Sequence, residues 1–223
     1  MSESNFKFRP TVIYVPLIAI FIIWFVYFIE INFGFNFNKY GVYPKSLIGL
    51  RGILFSPFIH SNTTHLFNNS VPLLVMLGCL YYFYHKIATK ILFWGIILSG
   101  LLTWVIGRPS YHIGASGVIY LLVSFIFFSG IFRKYFRLIA LSLIVVFLYG
   151  SMIWYIFPMG GKISWEGHLS GFIVGFIFAF LFRKKGPQPE NFIFSKNDEF
   201  EKLFDENGDF NPPPEATEES NET

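Results

Sequence analysis

Aspartate is absent from residues 1–197, and the only carboxylates of that stretch are Glu3, Glu30, Glu166 and Glu190. An aspartyl protease dyad, in which two Asp carboxyls share a proton, cannot be built from such a set. No His-Glu-x-x-His occurs either, which removes the zinc metalloprotease motif. A proton or cation relay would have only Glu30 and Glu166 to run through. Cysteine is scarcer still: Cys79 stands alone, so there is no disulfide framework and no thiolate cluster. No internal repeat suggests an inverted-repeat transporter. No cofactor is expected, and nucleic acid is not an expected partner.

What is abundant is hydrocarbon. The 223 residues are 53% hydrophobic and 21% aromatic, with thirty Phe and a mean hydropathy of +0.51. A soluble domain of this length cannot bury so many rings, so the bilayer is the expected solvent. Apolar runs of spanning length fall near 11–30, 66–85, 90–107, 116–132, 138–158 and 164–183, which predicts six transmembrane helices. The first lacks a small-residue cleavage site and reads as a retained helix. Basic residues cluster before helix one (Lys7, Arg9), between two and three (Lys86, Lys90), between four and five (Arg133, Lys134, Arg137) and after six (Arg183, Lys184, Lys185). All four clusters fall on one side, so the positive-inside rule predicts an N-in, C-in topology. The segment 31–64 is then a long external loop, apolar enough to lie partly in the membrane interface. The expected organisation is an all-α polytopic membrane domain over 1–185 and an acidic, largely disordered cytoplasmic tail over 186–223, where eleven of the 14 acidic residues lie.

The polar groups left at membrane depth are histidine, serine and asparagine, and intramembrane polar residues mark function by default. His60, His65 and Asn69 lie where the long loop enters helix two, the last two on one helical face. Ser116 opens helix four, and His168 lies about one turn into helix six. Helices two, four and six all have their outer ends at these residues, whereas His85 falls at the inner one. Each has a plain reading: Ser116 as a helix cap, Gly171 and Gly175 as a packing face, the histidines as satisfied interfacial groups. Their shared depth favours chemistry. His168, Gly171 and Gly175 fall on one stripe, so the face carrying the imidazole admits a close neighbour. If that neighbour is helix four, Ser116 reaches His168 as a nucleophile reaches its general base. The Ser116 N–H at a helix N-terminus, the Asn69 amide and the His65 ring N–H are candidate oxyanion donors. Tyr120, one turn after Ser116, is placed to pack on the imidazole. Glu166 faces elsewhere and is not assigned as a third triad member; Ala115 and His112 have no assigned role.

Three motifs, in order, resemble those of the rhomboid intramembrane serine proteases over roughly residues 10–185. They are Gly114-Ala115-Ser116-Gly117, the spaced set His60, His65, Asn69, and His168 followed by Gly171 and Gly175. The resemblance implies a six-helix bundle, a catalytic Ser116–His168 dyad, an oxyanion hole of His65, Asn69 and the Ser116 N–H, and Tyr120 stacked on the base. His60, Gly114, Gly117, Gly171 and Gly175 are supporting residues. It also implies single-pass transmembrane protein substrates that reach the site from the lipid bilayer, no cofactor, and a site facing outward from what is taken as the bacterial cytoplasmic membrane. Two positions depart from the family pattern: Leu50-Arg51 stands nearest to a common Trp-Arg pair, and Gly167 replaces a frequent Ala before the histidine. Two other readings use the same residues. One is a non-catalytic rhomboid-like protein that binds membrane clients; the other is a haem or metal protein ligated by His60, His65, His112 and His168.

Overall fold

The computed structural model describes residues 8–134, 136–148, 154–158, 163–186 and 201–211. Two compact units divide the chain, Met1–Pro189 and Glu190–Thr223. Among the described residues the first is all-α: α1 (Thr11–Asn32), α2 (Thr63–Phe83), α3 (Ala88–Ile106), α4 (Ser116–Arg133), α5 (Phe136–Leu148) and α6 (Trp165–Leu181), with a short helix Gly52–Phe55 and single 3₁₀ turns in the connections. Four of these, α1 to α4, are long and apolar enough to cross a membrane. In the second unit a 3₁₀ turn at Glu201–Leu203 leads into an antiparallel bridge between Phe204 and Phe210. Asp205 Oδ1 closes the intervening turn by accepting the N–H groups of Asn207 and Asp209, both at 2.9 Å.

The helix starts explain where hydropathy alone misplaces boundaries. α2 begins at Thr63, three residues before its apolar run, because the Asn62 side chain caps it by accepting the His65 N–H at 2.8 Å. α6 is capped in the same way by Ser164, whose hydroxyl accepts the Gly167 N–H at 3.3 Å. The fifth predicted span, 138–158, differs more. α5 is helical to Leu148, residues 149–153 lie outside the described set, and Trp154–Ile156 form a separate 3₁₀ turn. Pro158, just beyond, disfavours a helical conformation at Phe157, so the chain cannot run on as an α-helix there.

α4 is the centre of the bundle. Leu121, Leu122, Phe125 and Ile126 on it are fully buried, and it packs most extensively against α6. α1 rests on α2 and α3 on α6, and both outer helices turn most of their side chains outward. Two glycines set the central contact. A Cβ on Gly171 would lie 2.1 Å from the Gly117 carbonyl oxygen, and one on Gly175 would lie 2.3 Å from that of Leu121, so α6 meets α4 backbone to backbone. At the opposite end from Ser116, Arg133 is buried. It donates to the carbonyls of Ser129, Phe182 and Lys185 and lies over the Tyr84 ring. A cation on these C-terminal carbonyls is favoured by the helix dipole, and the contact joins the ends of α2, α4 and α6.

The long loop between α1 and α2 is held by its own contacts. Arg51 donates to the Lys39 carbonyl at 3.0 Å and lies 4.6 Å from the centre of the Tyr40 ring. The arginine of the expected Trp-Arg pair therefore has an anchoring partner without the tryptophan. Phe33, Phe35, Leu47, Ile48, Leu54 and Phe55 remain exposed along this loop.

Candidate active site

Every sequence-predicted polar residue converges at one end of α2, α4 and α6. Ser116 Oγ lies 2.8 Å from His168 Nε2. The other ring nitrogen, Nδ1, is 2.9 Å from the Tyr155 carbonyl oxygen. A carbonyl only accepts, so Nδ1 carries the proton and Nε2 presents its lone pair to the serine hydroxyl. This is the tautomer a general base requires. The Tyr120 ring stacks on the imidazole, with centroids 4.3 Å apart and planes 16° from parallel, which fixes the plane of the base.

Tyr155 is the member that residue-type reasoning could not find, because its contribution is backbone. The 3₁₀ turn at Trp154–Ile156 aims that carbonyl at His168. Pro158 and the glycines on either side were the available signal that the fifth apolar run is broken there.

Donors flank the nucleophile. Ser116 is the first residue of α4, where N–H groups have no intrahelical acceptor and the helix dipole is positive. Gly114 has φ +106°, and a Cβ there would lie 2.7 Å from His65 Nε2 and 3.5 Å from Asn69 Nδ2. Glycine is thus demanded twice, by the backbone conformation and by the two side chains that occupy the space. Asn69 Nδ2 is buried with no hydrogen-bond partner, a free donor beside Gly114. Ser61 Oγ lies 3.3 Å from His65 Nδ1.

His60 is 1% exposed. Its ring meets the edge of His65 at 5.0 Å, and its Nε2 accepts the Ala115 N–H at 3.4 Å. Burial first, and then the neighbouring His65, lower the His60 imidazole from 6.5 to about 3. The folded protein keeps the ring neutral where the unfolded chain takes up a proton. Its contribution to stability is fully present above about pH 6.5 and is lost as pH falls toward 3. The thermal midpoint in detergent should therefore drop between pH 7 and pH 4, and His60→Gln should flatten that slope. Equal slopes for both proteins would show that His60 does not carry it.

His112 and Glu166 are placed close by. His112 Nε2 lies 3.1 Å from the Arg108 carbonyl and Nδ1 lies 2.6 Å from Ser164 Oγ. Burial pushes this imidazole down as well, against the Arg108 carbonyl and the Glu166 charge. Among the described residues no three His, Cys, Asp or Glu side chains converge on a common metal position.

A family model for the rhomboid domain matches residues 49–185, a stretch that holds all the groups just described. The chain belongs to the rhomboid family. With four helices of membrane-crossing length, it is an integral membrane protein. Similar sequences include uncharacterised proteins of Mycobacterium bovis and Mycobacterium tuberculosis, each 36% identical over 159 residues, or 66% of this chain. The match spans 65% of the length of these mycobacterial relatives. A protein of Acanthamoeba polyphaga mimivirus, provisionally named a rhomboid protein, is 32% identical over 175 residues, covering 76% of this chain and 91% of its own. In this rhomboid domain the glycine seam of α4 and α6 is the element that brings Ser116 and His168 together. The loop glycine Gly114 opens the space beside them.

Proposed function

We propose that this rhomboid protein is an intramembrane serine endopeptidase that cuts a peptide bond in or near the transmembrane segment of single-pass membrane proteins. The observation that carries the reading is the 2.8 Å contact of Ser116 Oγ with a His168 ring whose other nitrogen is committed to a carbonyl. As Oγ attacks the scissile carbonyl carbon, His168 Nε2 takes its proton. The oxyanion forms against the Ser116 N–H, the Asn69 amide and His65. Collapse expels the amine, which leaves with the proton from His168. A water then attacks the acyl-serine, its proton passing to Nε2; the acyl–Oγ bond breaks, Nε2 returns that proton to Ser116 Oγ, and the carboxylic acid departs. A small cavity beside Ser116, lined by Ser56, Ser99, Thr103, His112 and Ser164, offers polar surface to hold such a water.

The remaining assignments belong to the same reading. The domain has six spans with both ends inside, the dyad opens toward the outer face of a bacterial cytoplasmic membrane, and the acidic segment 186–223 is a cytoplasmic tail. On this reading an unwound substrate segment reaches the dyad laterally from the lipid bilayer.

A fluorophosphonate probe tests the central assignment. Purified protein should be labelled, and Ser116→Ala should abolish the label. Wild-type protein that stays unlabelled while folded would remove the protease reading and favour a client-binding rhomboid-like protein.

A further inference from the structure

We infer that Glu166, with His112, forms a clasp that sets the register of α6 against α4 and so positions His168 on Ser116; this deepens the protease reading and rests on it. The glycine seam explains why a clasp is needed. Gly171 and Gly175 bring two backbones together without side-chain knobs, and the direct ties between the helices, Ser124 Oγ donating to the Phe172 carbonyl at 2.7 Å and Arg133 donating to the Phe182 and Lys185 carbonyls, lie at the middle and far end of α6, so its N-terminal end needs a tie of its own. A slide of one residue is about 1.5 Å, enough to carry Nε2 out of hydrogen-bond reach of Oγ.

The ties that hold the N-terminal end of α6 reach the loop that delivers Ser116. Glu166 is 1% exposed and sits two residues before His168. Its Oε1 accepts the Arg108 N–H at 3.2 Å and lies 3.6 Å from Arg108 Nε. The Arg108 guanidinium donates on to the Ile163 carbonyl at 2.6 Å. His112 completes the contact from further along the loop. Its Nε2–H donates to the Arg108 carbonyl, which requires Nδ1 to accept from the Ser164 hydroxyl in the neutral ring. That hydroxyl in turn accepts the Gly167 N–H and caps α6. Glu166 Oε2 stands 3.9 Å from His112 Nδ1, beyond hydrogen-bond reach and with no donor of its own, so the ties run through Oε1 to Arg108 and through His112 to Ser164. The loop is fastened on its other side too, by the paired Val42 and His112 backbones and by the Gly114 N–H donating to the Ser56 carbonyl.

One continuous circuit results: Ser116, its loop, Arg108 and His112, Glu166 and Ser164, then His168 and back to Ser116. Neither Glu166 nor His112 touches the reacting atoms, so both are positioning residues. What the clasp needs from Glu166 is an acceptor of the right length, and Gln supplies one.

Kinetics on a fluorogenic transmembrane substrate test this in proteoliposomes. Glu166→Ala and His112→Ala should each lower kcat about ten- to a hundredfold with KM changed less than about threefold. Glu166→Gln should recover most of the loss, and the double Ala variant should be no worse than about the weaker single, because both release the same register. Unchanged kcat in folded Glu166→Ala, a rise in KM alone, or a Gln variant as impaired as Ala would overturn the clasp. Should Glu166→Ala fail to fold, Glu166→Asp replaces it, with its shorter reach expected to lower kcat and an unchanged kcat counting against the proposal. Wild-type protein without Ser116-dependent cleavage would instead sink the protease reading. The clasp is then read from spin labels at positions 110 and 163 in a Cys79→Ala background, whose separation should shift by about one helical rise in Glu166→Ala; an unchanged separation overturns it.

Discussion

Replacing Ser116 by Ala, or His168 by Ala, should lower cleavage of a reference transmembrane substrate by about four orders of magnitude or more, and the double variant should be no slower than either single. The two groups act as one unit. Without the hydroxyl there is no acyl intermediate, and without Nε2 the hydroxyl proton has no acceptor within 2.8 Å. The residual rate would come from the oxyanion donors and from holding the substrate. Those donors carry a smaller share each: Asn69→Ala should cost only about a hundred- to a thousandfold, since the Ser116 N–H and His65 remain. Product formation followed by gel shift and mass spectrometry in proteoliposomes separates the two classes. A Ser116→Ala protein keeping a tenth of wild-type rate would be incompatible with the proposed nucleophile.

Gly171→Ala is expected to disturb the packing of α6 on α4, and to lose activity with it. The new Cβ would fall 2.1 Å from the Gly117 carbonyl oxygen and close to the Leu121 backbone nitrogen. Both are backbone atoms, so no rotamer change relieves the overlap. α6 must retreat from α4 by about an ångström or more, which on the scale of overpacked cores costs about 1–3 kcal/mol. A displacement of that size at a reacting pair is enough for a loss of about a hundredfold in rate. Gly78→Ala is the matched control. A Cβ there meets nothing nearer than the Val12 carbonyl at 3.7 Å, so stability should stay within about 0.5 kcal/mol. Thermal midpoints in detergent and turnover on one substrate measure both variants. Equal behaviour of Gly171→Ala and Gly78→Ala would mean that the seam is looser than its geometry.

Much of the site is legible in the sequence because membrane depth is a one-dimensional coordinate. Apolar runs of fixed length and basic clusters between them put His65, Asn69, Ser116 and His168 at the same end of alternate helices before any packing is known. The stripe of His168, Gly171 and Gly175 then names the face on which α6 can meet a neighbour. The glycines around Ser116 are legible in the same way, as places where side chains are missing, though not the reason for it. Gly114 turns out to be bare because His65 and Asn69 fill its space.

Hydropathy does not register capping or broken helices. The start of α2 depends on the Asn62 side chain, and the third partner of His168 depends on a turn at Trp154–Ile156 inside what reads as one apolar span. Arg133 counts in sequence as one more basic residue on the inner side, yet it is buried against three carbonyls.

The sequence by itself determined the solvent, the helical class, the family and the residue types available for chemistry, since each follows from composition or from short local spacings. Only the tertiary structure decided which nitrogen of His168 faces Ser116, why Gly114 must be glycine, and what His112 and Glu166 are joined to. These depend on backbone carbonyls and on loops far apart in the chain, and a carbonyl oxygen has no letter in the sequence.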